Sequence, residues 1–175
     1  MGIIIVIMFI VFLNQSPKGC VIDQNQNGME AFGVLYGLKY QAQTFTPTTR
    51  GLNIITLNLK KIGNNGDLDI LITTTNNGLP TTTILSESII DASILTTDFV
   101  DYNINIPTTL VRGVQYAIVL KSPNSINPSN DVLFRFSTNN FYADGVSIYS
   151  NDGGLNWGKN EGYDMYFKTW SCGVN

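Results

Sequence analysis

An all-β fold, a two-sheet antiparallel β-sandwich of jelly-roll type behind an apolar N-terminal segment, is the class this sequence predicts. Three observations carry it. Apolar and polar residues alternate through run after run of strand length, turn residues punctuate those runs at short intervals, and no stretch sustains a helical period. Composition agrees: 43% of residues are hydrophobic and only 13% charged, so uncharged polar groups must cover the surface, and runs of Asn and Thr supply them. At 175 residues, one domain over 20–175 with a preceding segment over 1–19 is the expected organisation.

Met1 to Leu13 is almost wholly apolar. It is shorter than the roughly 20 residues of a membrane span and fits the apolar region of a secretory signal peptide, so residues 1–19 are read as a signal peptide or an apolar anchor. No Lys or Arg precedes the run and no Ala-x-Ala-like cleavage site follows it. Its β-branched residues equally suit a strand donated to a neighbouring subunit's sheet edge. Pro17 and Lys18 fit a lipoprotein site before Cys20 badly, so no lipid is expected.

Asp23-Gln-Asn-Gln-Asn-Gly28 opens like an EF-hand loop, but the twelfth position is Val34, where a bidentate Glu is required. A looser structural calcium site on Asp23, Asn25 and Asn27 stays open beside the plainer reading of a polar turn. Cys20 and Cys172 are the two cysteines, at opposite ends of the domain. Such a pair reads as a disulfide tying the first strand to the last, with two separate buried thiols as the alternative.

From Gln41 the strands follow in order. Gln41–Thr46 ends at Pro47; Leu52–Lys60 puts Ile55, Leu57 and Leu59 on one face; Asp67–Thr74 puts Leu68, Ile70 and Ile72 inward. Asn76-Asn-Gly-Leu-Pro80 turns into Thr83–Ile90, and Asp91–Thr96 has room for one helical turn capped by Asp91. Phe99–Ile106 alternates through Val100, Tyr102, Ile104 and Ile106 and is expected to end at Pro107. Val114–Lys121 shares a face through Tyr116, Ile118 and Leu120, a Ser/Pro/Asn loop leads to Val132–Phe136, and Asp164–Trp170 closes the domain. About eight or nine strands in two sheets are expected.

Between the last two runs, Ser150-Asn-Asp-Gly-Gly-Leu-Asn-Trp157 carries the residues of a tight hairpin turn. Gly153 and Gly154 tolerate positive φ, and the Ser150 hydroxyl and Asp152 carboxylate can accept unpaired backbone N–H groups while Trp157 folds back as a lid. The stretch resembles the Asp-box, Ser-x-Asp-x-Gly-x-Thr-Trp, through Ser150, Asp152, Gly154 and Trp157, with Asn156 where Ser or Thr is usual. In the families that carry it, that motif is a structural turn away from any active site. Gln43-Thr-Phe-Thr-Pro47, Leu57-Asn-Leu-Lys60, Gly66-Asp-Leu68, Gly78-Leu-Pro80, Leu110 to Leu120 and the block Tyr142 to Trp170 follow in an order that resembles a β-sandwich module of secreted and surface-anchored bacterial and archaeal proteins. The resemblance implies a jelly-roll or galactose-binding-like sandwich used for attachment, carbohydrate contact or display.

Chemistry narrows the function. The sequence has no histidine, which removes Ser-His-Asp and Cys-His nucleophile systems and His-bearing zinc sites. Net charge is -3 and the basic residues are scattered, so nucleic acid is not an expected partner. A sialidase, prompted by the Asp-box, needs an arginine cluster and a propeller, and Arg50, Arg112 and Arg135 are the only arginines. The expected function is a non-enzymatic, secreted or cell-surface module for adhesion or carbohydrate binding. A self-assembling subunit of a surface filament, sheath or virion is the alternative, its partner being copies of itself instead of a glycan or cell-surface polymer. Contact with a membrane is expected only through an uncleaved N-terminal segment. Sugar sites pair an aromatic ring with amide or carboxylate groups; the candidates are Phe141, Tyr142 and Tyr163, with Asn139, Asn140, Asp144 and Asn160 as polar partners.

Overall fold

The alternation read along the chain sorts its strands into two facing sheets. A computed structural model describes residues 16–139 and 142–173; the apolar run and the candidates Asn140 and Phe141 lie outside them. The strands are β1 (Cys20–Gln26), β2 (Ala31–Leu35), β3 (Tyr40–Phe45), β4 (Gly51–Lys61), β5 (Leu68–Asn76), β6 (Leu79–Ile90), β7 (Val100–Thr109), β8 (Tyr116–Lys121), β9 (Val132–Ser137), β10 (Ser147–Ser150), β11 (Gly158–Asn160), β12 (Asp164–Met165) and β13 (Phe167–Cys172). No helix occurs among the described residues.

Eight of these strands make the frame. One sheet runs β1-β13-β4-β7 and the other β3-β8-β5-β6, all antiparallel. Chain order thus alternates between sheets, except at the β5–β6 hairpin, as in a jelly roll of two Greek keys. The remaining five strands extend one side: β9 pairs with β4, β2 and β12, while β10 pairs with β3 and β11. Four of the five come from the segment between β8 and β13, an insertion before the last frame strand.

The core lies where the inward positions of the frame meet. Ile55, Leu57 and Leu59 of β4 face Leu68, Ile70 and Ile72 of β5 and Ile118 and Leu120 of β8, each at most 1% exposed. Full burial of such side chains is worth about 1.5–3 kcal/mol each. Phe45, Phe167 and Tyr142 close one end, the Tyr142 ring standing edge-on to Phe167 at 5.1 Å. Cys20 and Cys172 are register partners in β1 and β13 and are joined by a disulfide spanning 152 residues.

Three expectations need correction. Asp23–Gln26 is strand and not turn, because β1 pairs with β13 as far as Gln26 and buries Gln24 and Gln26 beneath it. β7 continues through Pro107 to Thr109; Pro107 falls in a bulge opposite β4, and β7 is an edge strand, so the missing N–H breaks no ladder. By contrast, Asp91 caps the single turn expected of it, accepting from Ser93 N and, through its carbonyl, Ile94 N. The last strand is two pieces: Tyr166 N donates to Arg135 O, leaving β12 on β9 and β13 on β4 and β1.

Candidate functional site

The five added strands leave the sandwich open along one side, between β2 and β9 in one sheet and β3, β10 and β11 in the other. The two walls differ because the inward residues differ. On β3, Gln41 and Gln43 stand opposite Leu120 and Ile118 of β8, so the inward row turns from apolar to amide within one strand spacing. Ser147 continues it opposite Gln43, and Asn160 opposite Ser147. The facing wall is aromatic: Phe134 and Phe136 of β9, ring centroids 6.1 Å apart, with Tyr163 edge-on to Phe136 at 5.5 Å.

Local structure fixes each member. Gln41 Nε2 donates to Ser147 Oγ at 2.6 Å and so holds its amide across the wall. Tyr163 N donates to Asn160 O, closing the turn after β11 and setting the Tyr163 ring at the mouth, 41% exposed. Gly33, register partner of Phe134, lets that ring lie across β2; a Cβ there would come within 2.2 Å of Phe134 Cζ. The cleft encloses about 430 Å³, and no charged side chain lines it. Small-molecule sites occupy roughly 300–1,000 Å³ and combine apolar rings with a few placed polar groups.

Behind the cleft a buried polar network ties the insertion to the frame. The Asp164 carboxylate, fully buried, accepts Gln43 Nε2 at 3.0 Å and Tyr142 N at 3.1 Å, and Gln43 Oε1 accepts Met165 N at 2.8 Å. Burial pushes the Asp164 carboxyl above its ordinary range against those two donors. Tyr142 OH donates to Gln24 Oε1 at 2.8 Å.

The sequence candidates therefore separate. Tyr163 and Asn160 come together in the cleft. Tyr142 does not: it is 6% exposed, packed on Phe167 with its hydroxyl in the interior, and has no face for a ligand. Asn139 and Asp144 are exposed on the loop between β9 and β10, outside the cleft lining. Gln41, Ser147, Phe134 and Phe136 were missed, although an amide at two inward positions of an otherwise apolar strand face was a visible signal.

The Ser150–Trp157 turn has the mechanics its residues imply. Ser150 Oγ accepts Gly154 N at 2.9 Å and donates to Asp152 Oδ1 at 2.7 Å, while Asp152 accepts Asn156 N and Asn156 Nδ2. Those donors, Asn156 N foremost, bring the Asp152 carboxyl down to about 2. Gly153 and Gly154 take φ of 75° and 88°, and Trp157 packs on a small apolar cluster outside the sheet with Ala42, Val119 and Ile148. The turn is a brace for β10 and β11 and faces away from the cleft.

Asp23 and Asn25 lie in β1, and Asn27 follows its last residue. The Asp23 carboxylate accepts Thr48 N through both oxygens as well as Thr48 Oγ1.

No protein-family model matches the sequence, and no curated protein does. Among solved structures, the fold is similar to that of the cysteine protease and lectin-like domains of Cwp84, a surface layer associated protein of Clostridium difficile, with a TM-score of 0.56 and 13% identity over 92% of this chain and 37% of that one. A structure of clostridial cysteine protease Cwp84 after propeptide cleavage gives a TM-score of 0.57 and 12% identity over 92% of this chain and 42% of that one. The similarity is to the lectin-like domain and not to the protease domain. At this identity it shows the fold alone, and this chain spans less than half the length of either structure.

Proposed function

We propose that this chain is a secreted or surface-exposed, non-enzymatic β-sandwich that binds carbohydrate in the cleft between β2, β9, β10 and β11. The observation that carries the reading is the pairing of walls: exposed Tyr163 with Phe136 on one side, Gln41, Ser147 and Asn160 on the other, and no charge between. A pyranose has an apolar face for a ring and hydroxyls for amides, and this cleft offers both. The likeness to a lectin-like domain of a surface protein supports the class. The disulfide supports an oxidising compartment. With both cysteines bonded and no histidine in the sequence, thiol chemistry has no nucleophile.

Binding to immobilised neutral glycans tests it. Tyr163→Ala should weaken binding about tenfold and Asn160→Ala by a smaller factor, both with an unchanged melting temperature. Unaltered binding in Tyr163→Ala would remove the cleft from consideration.

Self-assembly is the second reading, favoured by one feature. β6 is a twelve-residue strand at the edge of its sheet, and it exposes Ile84, Leu85 and Ile89 at 49, 38 and 59%. Open edges of that kind pair with other strands. Light scattering decides between them: a concentration-independent monomer that binds glycan supports the first reading, and a uniform large particle supports the second.

A further inference from the structure

Just over the rim of the cleft, on the outer face of the seven-stranded sheet, lies a patch that the neutral cleft does not explain. Phe99 is flanked by two cations, Arg135 with its guanidinium carbon 4.0 Å from the ring centroid and Lys60 Nζ at 5.1 Å. Phe32 packs against Phe99 at 6.2 Å and is 55% exposed. The register explains the gathering: Arg135 is opposite Phe32, and Lys60 is opposite Leu133, the buried outward neighbour of Arg135.

Two properties of this patch point to a ligand. First, the ion pairs among the described residues are Lys121–Asp69 and Lys168–Asp101, so neither Arg135 nor Lys60 has a carboxylate within 4.0 Å, in a chain with more acids than bases. Arg135 spends one donor on Met29 O at 3.4 Å, which leaves most of its fork available. Second, the patch is continuous with the cleft: Phe32 lines the cleft and also packs on Phe99, because β2 is the edge strand separating the two.

We infer that the ligand is an acidic polysaccharide bearing carboxylate groups, which seats a sugar ring in the cleft and crosses β2 so that a neighbouring uronate meets Arg135 and Lys60. This rests on the cleft being the sugar site. A guanidinium fork matches a carboxylate with two parallel hydrogen bonds, and the Phe99 ring lies against the guanidinium carbon. The division of labour follows: the cleft reads ring and hydroxyls, and the patch reads charge.

The test titrates the full chain with oligogalacturonate and with neutral galactan oligomers of equal length, at low and at raised salt. Wild type should bind the uronate about tenfold tighter than the neutral oligomer, a gap that salt narrows. Arg135→Gln with Lys60→Gln, which keeps the stems and the fold, should close the gap and leave neutral binding unchanged. Tyr163→Ala should weaken both oligomers. Equal affinity for both oligomers in wild type, or an unchanged gap in the Gln variant, overturns the inference while the cleft reading stands. Uronate binding that survives Tyr163→Ala but not the Gln variant also overturns it, since the patch would then act without the cleft. Absence of binding to either oligomer overturns both.

Discussion

Strands β3 and β8 lie side by side in one sheet, and their inward faces part ways. β8 presents Tyr116, Ile118 and Leu120; opposite them β3 presents Phe45, Gln43 and Gln41. On the β8 side the sandwich is closed by aliphatic packing, and on the β3 side it is held by amides, a buried carboxylate and a cleft. The apolar half derives its stability from burial, which is non-directional and forgiving of sequence. The polar half depends on donors meeting acceptors, so it is more specific and easier to break.

That contrast sets the order of effects. The largest belongs to the frame: Phe167→Ala, at the junction of Phe45 and Tyr142, should cost about 3–5 kcal/mol in a single cooperative transition seen by chemical denaturation. Asp164→Ala comes next. It strands Gln43 Nε2 and Tyr142 N in the interior and should cost about 2–3 kcal/mol, with the insertion loosening first in hydrogen exchange. A loss spread evenly over both halves would erase the distinction between them.

Asp164 also gives the polar half a pH signature. Its folded carboxyl titrates above the ordinary value of 3.8, so the native state keeps a proton that the unfolded chain has given up. Its contribution is full below 3.8 and is lost as pH rises through the raised value. Wild type should therefore gain on Asp164→Ala as pH falls through the raised value, levelling off below 3.8. Asp152 runs the other way: depressed to about 2, it stabilises above 3.8 and loses that contribution as pH falls through about 2. Urea midpoints across this range for Asp152→Asn should converge on wild type at the acid end.

A smaller change sharpens the view of the cleft. Gly33→Ala pushes a methyl against the end of the Phe134 ring and should cost about 1–3 kcal/mol, while moving that ring into the cleft and weakening glycan binding. If stability falls and binding does not, Phe134 is packing only.

The two halves were also unequally legible. Inward triplets such as Ile55, Leu57, Leu59 and Leu68, Ile70, Ile72 announce their strands by period, and the cysteine pair announced the join of first and last strands that orders the jelly roll. β2 was hidden because Gly33 interrupts its apolar pattern, and the far end of β1 because its buried positions are Gln24 and Gln26. Tyr142 was misplaced for a related reason: in a loop rich in Asn and Asp nothing local says that its ring turns inward, and only Phe167 and Gln24, distant in sequence, hold it there. Tyr163 and Asn160 were found through residue type, while their partners Gln41 and Ser147 required the sheet register to join them.

The cleft as sugar site is tested most directly by mapping backbone amide chemical shifts as a neutral galactan oligomer is added to the full chain. Changes should concentrate at Gly33, Gln41, Phe136, Ser147, Asn160 and Tyr163, with the interior of β5 and β8 still. Changes centred on Trp157 or along Leu79–Ile90, with the cleft silent, would contradict it.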